Sequence, residues 1–268
     1  MDAEVPSLAA DRALLQDAVR KAGATALTFF GNAPRQWTKG DNSPVSEADI
    51  ATDTMLHDIL TAARPHYGWI SEERDEVVMA ERTFVVDPID GTRAYLRGER
   101  IWSVVAAIIE DGRPVAAAIA APVDGTLYSA SRGGGADRNG TPIAVSEHDT
   151  LGGAEVAMPA ALYREGGLQA TGMKRAPVLP SLALRLAKVA EGRFDGVVTK
   201  GGAHHWDLAA ADLIIVEAGG MLCDLSGALP RYDAGQTRHG PLVAASFTLA
   251  ESLRTRAAAG FATVAQSG

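Results

Sequence analysis

One cysteine in 268 residues, Cys223, excludes an intrachain disulfide, and its neighbours in Met221-Leu222-Cys223 mark it as a small packing residue rather than a nucleophile. No stretch reaches the roughly 18 to 20 apolar residues that cross a bilayer. The start, Met1-Asp2-Ala3-Glu4, is acidic and lacks the basic-then-apolar pattern of a secretory signal, so a cytoplasmic protein is expected. A net charge of −8 leaves no general basic surface for a nucleic-acid polymer or an anionic membrane. It does not exclude a phosphorylated small molecule, because cations bound by clustered acids invert the local charge. What is present, 47% hydrophobic and 22% charged residues, belongs to an ordinary globular chain with bulk for a sizeable core.

The most informative stretch is Thr83-Phe84-Val85-Val86-Asp87-Pro88-Ile89-Asp90-Gly91-Thr92. Phe84 to Val86 predict a short buried strand that Pro88 ends, which places Asp87 and Asp90 at its mouth. Carboxylates there suit a hard divalent cation such as Mg²⁺. Gly91 and Thr92 offer backbone N–H groups to a phosphate at a helix start. Taken alone, the motif also fits a polar turn with two capping aspartates. Two further acidic stations strengthen the metal reading: Trp69-Ile70-Ser71-Glu72-Glu73 upstream, and His205-Trp206-Asp207 before the apolar stretch Leu208 to Ala218 that ends in Gly219-Gly220.

Elsewhere, helices are expected over Ala10 to Phe30, Glu47 to Arg64, Leu182 to Glu191, Leu208 to Ala218 and from Thr248 onward. Strands are expected at 67–72 and 83–87, and as a hairpin of Ile101 to Glu110 with Arg113 to Ala121 about Asp111-Gly112. Leu127 to Ser131, Ala154 to Met158, Gly196 to Thr199, Met221 to Asp224 and Leu242 to Ala245 follow as further strands. This alternation predicts a layered α/β fold. A polar, glycine-rich break near Ser146 divides it into an N-terminal half (1–146) with most acidic stations and a C-terminal half (147–268) with Asp207. Gly133-Gly134-Gly135 lacks the ending of a nucleotide P-loop and is expected as a flexible sheet connection.

Glu72-Glu73, then Asp-Pro-Ile-Asp-Gly-Thr, then Trp206-Asp207 with Gly219-Gly220, in that order, resemble the signature of the inositol monophosphatase superfamily. These are metal-dependent, lithium-sensitive phosphatases, and the group includes fructose-1,6-bisphosphatases, histidinol phosphatases and 3'(2'),5'-bisphosphate nucleotidases. The resemblance runs from about Leu14 to Ala250 and implies a stacked α-β-α-β-α sandwich, a homodimer, and two to three Mg²⁺ ions. It places Glu72, Asp87 and the Ile89 carbonyl on one ion and Asp87, Asp90 and Asp207 on a second, with Glu72 helping a third. Asn42-Ser43-Pro44-Val45-Ser46-Glu47-Ala48-Asp49 matches another family pattern, which implies that Asp49, Thr92 and Glu72 activate the attacking water. Gly91 and Thr92 would hold the phosphate.

Asp53, one turn beyond Asp49, reads as an exposed helix residue with no partner. Lys39 reads either as a lid residue near the metals or as a solvated lysine. His204 and His205 invite a zinc site, but oxygen donors dominate the other stations. For the substrate, Lys200 stands seven positions before Asp207, where related inositol phosphatases often carry a glutamate. A cation there suits a second anionic group. Arg185 resembles a basic position of bacterial bisphosphate nucleotidases, and the Asp41-Asn42-Ser43-Pro44-Val45 loop also looks more like those enzymes than like animal inositol monophosphatases. Lys200 and Arg185 are thus the candidate substrate-binding residues, and hydrolysis of adenosine 3',5'-bisphosphate to AMP and phosphate is the expected reaction. Inositol 1-phosphate and histidinol phosphate are the alternative substrates; a non-catalytic binding protein on the same fold is the alternative of another class.

Overall fold

Leu15, Ala18, Val19, Ala22 and Ala26 recur at helical spacing and are fully buried along one side of α1 (Leu8–Phe29). Ser7 caps this helix, its side chain accepting the Ala10 amide at 3.2 Å. The computed structural model describes residues 6–40, 43–233 and 237–267. Among them the chain continues through β1 (Gln36–Thr38), β2 (Pro44–Ser46), α2 (Glu47–Ala63), β3 (Gly68–Ser71), β4 (Arg74–Val78) and β5 (Arg82–Asp90). A short α3 (Thr92–Leu96) leads into a meander of β6 (Ser103–Glu110), β7 (Arg113–Ala121), β8 (Thr126–Ser131), β9 (Ala136–Arg138) and β10 (Thr141–Pro142). The remainder comprises β11 (Glu155–Ala157), α4 (Ala160–Arg164), a 3-10 turn (Leu168–Thr171), β12 (Lys174–Ala176), α5 (Leu182–Ala190) and β13 (Gly196–Val198). It closes with α6 (His205–Glu217), β14 (Gly220–Asp224), β15 (Leu242–Ser246) and α7 (Phe247–Ser267).

Two main sheets carry the architecture. The larger is ordered β10-β9-β8-β7-β6-β5-β3-β4, antiparallel except where β3 runs parallel to β5. The smaller is ordered β12-β11-β13-β15-β14, with β11 parallel to both of its neighbours. Side chains alternate across each sheet, so each strand feeds two cores. Phe84 and Val86 join Val104, Ala106 and Ile108 against α1 and α2. Val85, on the other face, joins Val105, Ala107 and Ile119 against Leu186, Leu208 and Ile214 of α5 and α6. The far side of that helical layer meets Val197, Leu222 and Ala244 of the smaller sheet. The outer face of the smaller sheet packs Val198, Val243 and Ala245 against Leu162 of α4 and Leu249 and Leu253 of α7. Helices, sheet, helices, sheet, helices: this is the stacked α-β-α-β-α sandwich. As its middle layer, α6 is buried without a break from Leu208 to Ile215.

Two expectations need correction here. Pro88 does not end the strand; β5 continues to Asp90, which pairs with Ser103 of β6, and an irregularity between Asp87 and Asp90 accommodates the residue that has no amide to donate. The triglycine is not a loose connection either. The amides of Gly133 and Gly135 donate to the Glu217 carboxylate at 2.9 and 2.8 Å, so the loop is a nest filled by a carboxylate from the end of α6. Among the described residues no helix is long and apolar enough to cross a membrane.

Candidate active site

The parallel pairing of β3 with β5 continues one step past β3, where the Glu72 amide donates to the Val86 carbonyl at 3.3 Å. Glu72 thereby arrives beside Asp87, close enough that the carboxyl groups act on each other's pKa. The irregular end of β5 brings Asp90 close, and the first turn of α6 brings Asp207. Asp87, Asp90 and Asp207 each offer a carboxylate oxygen, and these oxygens lie within 4.8 Å of one another.

This gathering is electrostatically costly. Burial pushes Asp87 well above the usual carboxylate range, and Glu72, Asp90 and Asp207 push it further. Burial and then the charge of Asp90 raise Asp207 to about 8, although the His204 amide donates to it at 2.6 Å. Burial raises Glu72 too, against the pull of Lys39. Buried like charges this close cannot all ionise unless a cation joins them. The donors are all oxygens, which fits a hard divalent ion such as Mg²⁺ and not zinc.

Asp90 is fixed by α5. The Ser181 hydroxyl donates to it at 2.5 Å, and the amides of Leu182 and Ala183 donate at 3.2 and 2.7 Å. Ser181 in turn accepts the Leu184 amide at 3.0 Å as the helix cap. These bonds oppose the upward push of burial on Asp90 without cancelling it.

Asp49 sits in a capping box: the Ser46 amide and hydroxyl donate to its Oδ2 at 2.8 and 2.6 Å. Its Oδ1 accepts from the Thr92 hydroxyl at 3.2 Å, and the Ile89 carbonyl lies 2.9 Å from the same hydroxyl. One proton serves these two acceptors in turn. Burial raises Asp49, while its bonds to Ser46 and Thr92 work the other way. The structure thus joins Asp49 and Thr92, as expected.

Gly91 opens α3 at φ +98°, a left-handed conformation that suits glycine, and its carbonyl accepts the Ala94 and Tyr95 amides at 2.8 and 3.0 Å. Gly91, Thr92 and Glu72 line a cleft of about 510 Å³, together with Ser43, Arg93, Arg97 and Pro180. Lys39 is no solvated lysine: its ammonium lies 2.7 Å from Glu73 and 3.5 Å from Glu72, and it donates to the Glu72 carbonyl at 3.2 Å. Burial works against that charge, but Glu72 and Glu73 more than offset it, and the lysine pKa moves up. Burial leaves Glu73 at about 7 despite Lys39.

Other sequence-predicted residues do not line the cleft, although the Arg185 charge is felt by Asp90. Arg185 donates through Nε and Nη2 to the Leu179 carbonyl at 3.1 and 2.5 Å, bracing the loop before α5. Lys200 is exposed on the segment after β13. Neither is among the residues lining the cleft. Asp41 and Asn42 fall outside the described residues. Both ring nitrogens of His205 are engaged, with His239 at 2.9 Å and the Asp233 carbonyl at 3.0 Å, and His204 stacks on Trp206. Asp53 is buried, not exposed and unpartnered: it accepts from Ser71 at 2.5 Å and from Arg74 at 2.6 Å, residues that the β3–β4 hairpin brings over α2. Ser181, Arg93 and Arg97 were not anticipated. Only Ser181 carried a local signal, as a serine directly before a helical pattern.

A family model for the inositol monophosphatase family matches residues 8–266, and the chain belongs to that family. It is 36% identical over 219 residues to a Streptomyces griseus protein named glucose-1-phosphate thymidylyltransferase, covering 77% of this chain and 82% of that one. It is 34% identical over 240 residues to an inositol-1-monophosphatase of Mesorhizobium japonicum, covering 83% and 88%. With the 3'(2'),5'-bisphosphate nucleotidase CysQ of Aggregatibacter actinomycetemcomitans it shares 30% over 233 residues, covering 80% and 85%. Among solved structures, the extragenic suppressor protein suhB of Bartonella henselae superposes with a TM-score of 0.83 at 28% identity, covering 92% of this chain and 98% of that chain.

Proposed function

We propose that the protein is a Mg²⁺-dependent phosphoric monoester hydrolase in which water attacks a small phosphate ester directly. One observation carries the reading: Asp87, Asp90 and Asp207 converge within 4.8 Å from two distant parts of the chain, burial raising the pKa of each and repulsion adding to it at Asp87 and Asp207. Glu72, Asp87 and the Ile89 carbonyl would hold one ion, Asp87, Asp90 and Asp207 a second, and Glu72 would help a third. Bound there, such ions would polarise phosphoryl oxygens, lower the pKa of water and neutralise charge on the leaving oxygen. The chain itself supplies the rest. Thr92 passes its proton to Asp49, which frees the hydroxyl oxygen to accept one from water, and Glu72 orients that water. The amides of Gly91 and Thr92 face the phosphate.

Adenosine 3',5'-bisphosphate remains the first substrate of this reading, supported by the similarity to CysQ and by the arginines in the cleft. Inositol 1-phosphate is the second, supported by the Mesorhizobium relative. The same reading takes the enzyme as a cytoplasmic homodimer. Purified protein with Mg²⁺ should release phosphate from at least one of adenosine 3',5'-bisphosphate, inositol 1-phosphate, histidinol phosphate and fructose 1,6-bisphosphate. Asp87→Asn should lower that rate at least about 100-fold, since it removes the charge shared between ions, while the metal-free variant melts no lower than the parent. Silence across the panel, or an active Asp87→Asn, would remove the case for hydrolysis and leave a binding protein on this fold.

A further inference from the structure

The proposed metal chemistry uses one wall of the cleft and leaves another unexplained. Arg93 and Arg97 stand four residues apart, on α3 and at its C-cap, so their side chains leave the same face one turn apart. Both line the cleft that Glu72, Gly91 and Thr92 also line, and both are exposed to it. In a chain of net charge −8, an arginine pair beside a carboxylate cluster is not the background of this surface. It is a local reversal of sign.

Resting on the hydrolase reading above, we propose that Arg93 and Arg97 form a second phosphate subsite, so that preferred substrates carry two phosphate groups on one compact scaffold. Guanidinium groups bind phosphate through paired, planar N–H donors, and two of them can bracket one dianion. Arg93 follows Thr92 directly in the chain, and Arg97 lies about 6 Å further along the helix axis. The second phosphate would therefore lie close to the first, as on a sugar or cyclitol scaffold. A cleft of about 510 Å³ accommodates a nucleoside-sized body between them.

Arg97 already has a partner, and this sharpens the test. It donates to Glu99 at 2.6 Å, with 59% and 45% of the two side chains open to water. Exposed ion pairs of this kind hold weakly, so a phosphate dianion displaces the carboxylate, and Glu99 acts as a competitor for the subsite. Removing Glu99 must tighten binding of a bisphosphate. A purely structural arginine would give no such response.

Phosphate release with Mg²⁺ should be compared within matched pairs that differ only in the second phosphate: adenosine 3',5'-bisphosphate against adenosine 3'-monophosphate, and inositol 1,4-bisphosphate against inositol 1-phosphate. The parent enzyme should favour the bisphosphate at least tenfold in kcat/KM in one pair or both. Arg93→Gln and Arg97→Gln should each cut that ratio at least fivefold, mainly through KM. Glu99→Gln should lower KM for the bisphosphate about twofold. Arg100→Gln, which removes an exposed arginine paired with Asp124 outside this cleft, should leave the ratio unchanged. Equal rates within both pairs, or a ratio insensitive to the Arg93 and Arg97 changes, would overturn the subsite while leaving the hydrolase intact. No hydrolysis of any member would instead overturn the hydrolase, and the subsite with it.

Discussion

Asp212 shows how much one buried carboxylate in α6 can bias the molecule. Its Oδ2 accepts from the Tyr232 hydroxyl at 3.0 Å and faces Arg113 at 3.2 Å, while Oδ1 has no hydrogen-bond partner among the described residues. Burial pushes its pKa to about 6, with Arg113 and Tyr232 pulling the other way. In the unfolded chain the proton leaves near 3.9. The folded state therefore holds the proton more tightly, so the stabilisation is fully present below about pH 4 and is lost as pH rises through about 6. The stability of the parent relative to Asp212→Asn should accordingly fall by about 2 kcal/mol between pH 4 and pH 7. Denaturant unfolding of both proteins at the two pH values measures this, and a constant difference would refute it. A residue like this was invisible beforehand, because nothing around Leu213-Ile214-Ile215 tells that Arg113 and Tyr232 arrive from other elements. Asp53 failed for the same reason. Its partners Ser71 and Arg74 are close only once the β3–β4 hairpin lies over α2.

The cap of α5 serves two purposes among the elements, since Ser181 accepts the Leu184 amide and donates to Asp90. Ser181→Ala should cost about 1 kcal/mol of stability, the usual loss for a helix cap. Because Asp90 also loses a donor that favours its ionised form, the Mg²⁺ concentration for half-maximal phosphate release should rise severalfold. A variant that loses stability with an unchanged Mg²⁺ requirement would separate the cap from the site. Long elements were readable: α1, α2, α5, α6, the β6–β7 hairpin and the carboxylates of β5 all stand where periodicity and motif placed them. Short ones were not. β1, β4 and β12 run for three to five residues, too few to establish a period of two, and their pairing is decided by distant strands. The acidic site was legible because each station ends or begins a strongly apolar element. The second wall of the cleft was not, since Arg93 and Arg97 look like any two exposed arginines until the cavity around them is seen.

At the scale of the whole molecule, the site lies where the larger sheet meets the middle helical layer. β5 contributes Asp87 and Asp90 from the sheet, α6 contributes Asp207, and α5 holds Asp90 in place. A cation here would tie two layers together and relieve their mutual repulsion, so binding should appear as global stability. At a concentration 100 times its dissociation constant, Mg²⁺ should add about 2.7 kcal/mol. For a chain of this size that raises Tm by roughly 5–10 °C. Differential scanning calorimetry with Mg²⁺, and then with a chelator, should show the rise and its reversal. An unmoved Tm would mean that no ion binds the folded state with useful affinity.

β1 lies at the edge of this shared scaffold, while its partner β2 is anchored in it through buried Val45 and Ser46. Gln36, Trp37 and Thr38 are all exposed, yet the next residue, Lys39, reaches Glu72 and Glu73. Its ammonium thus reaches the pocket from a strand that buries no side chain of its own. A divalent ion bound there would compete with Lys39 for these carboxylates, as on an exchange resin, one tethered cation yielding to a free one.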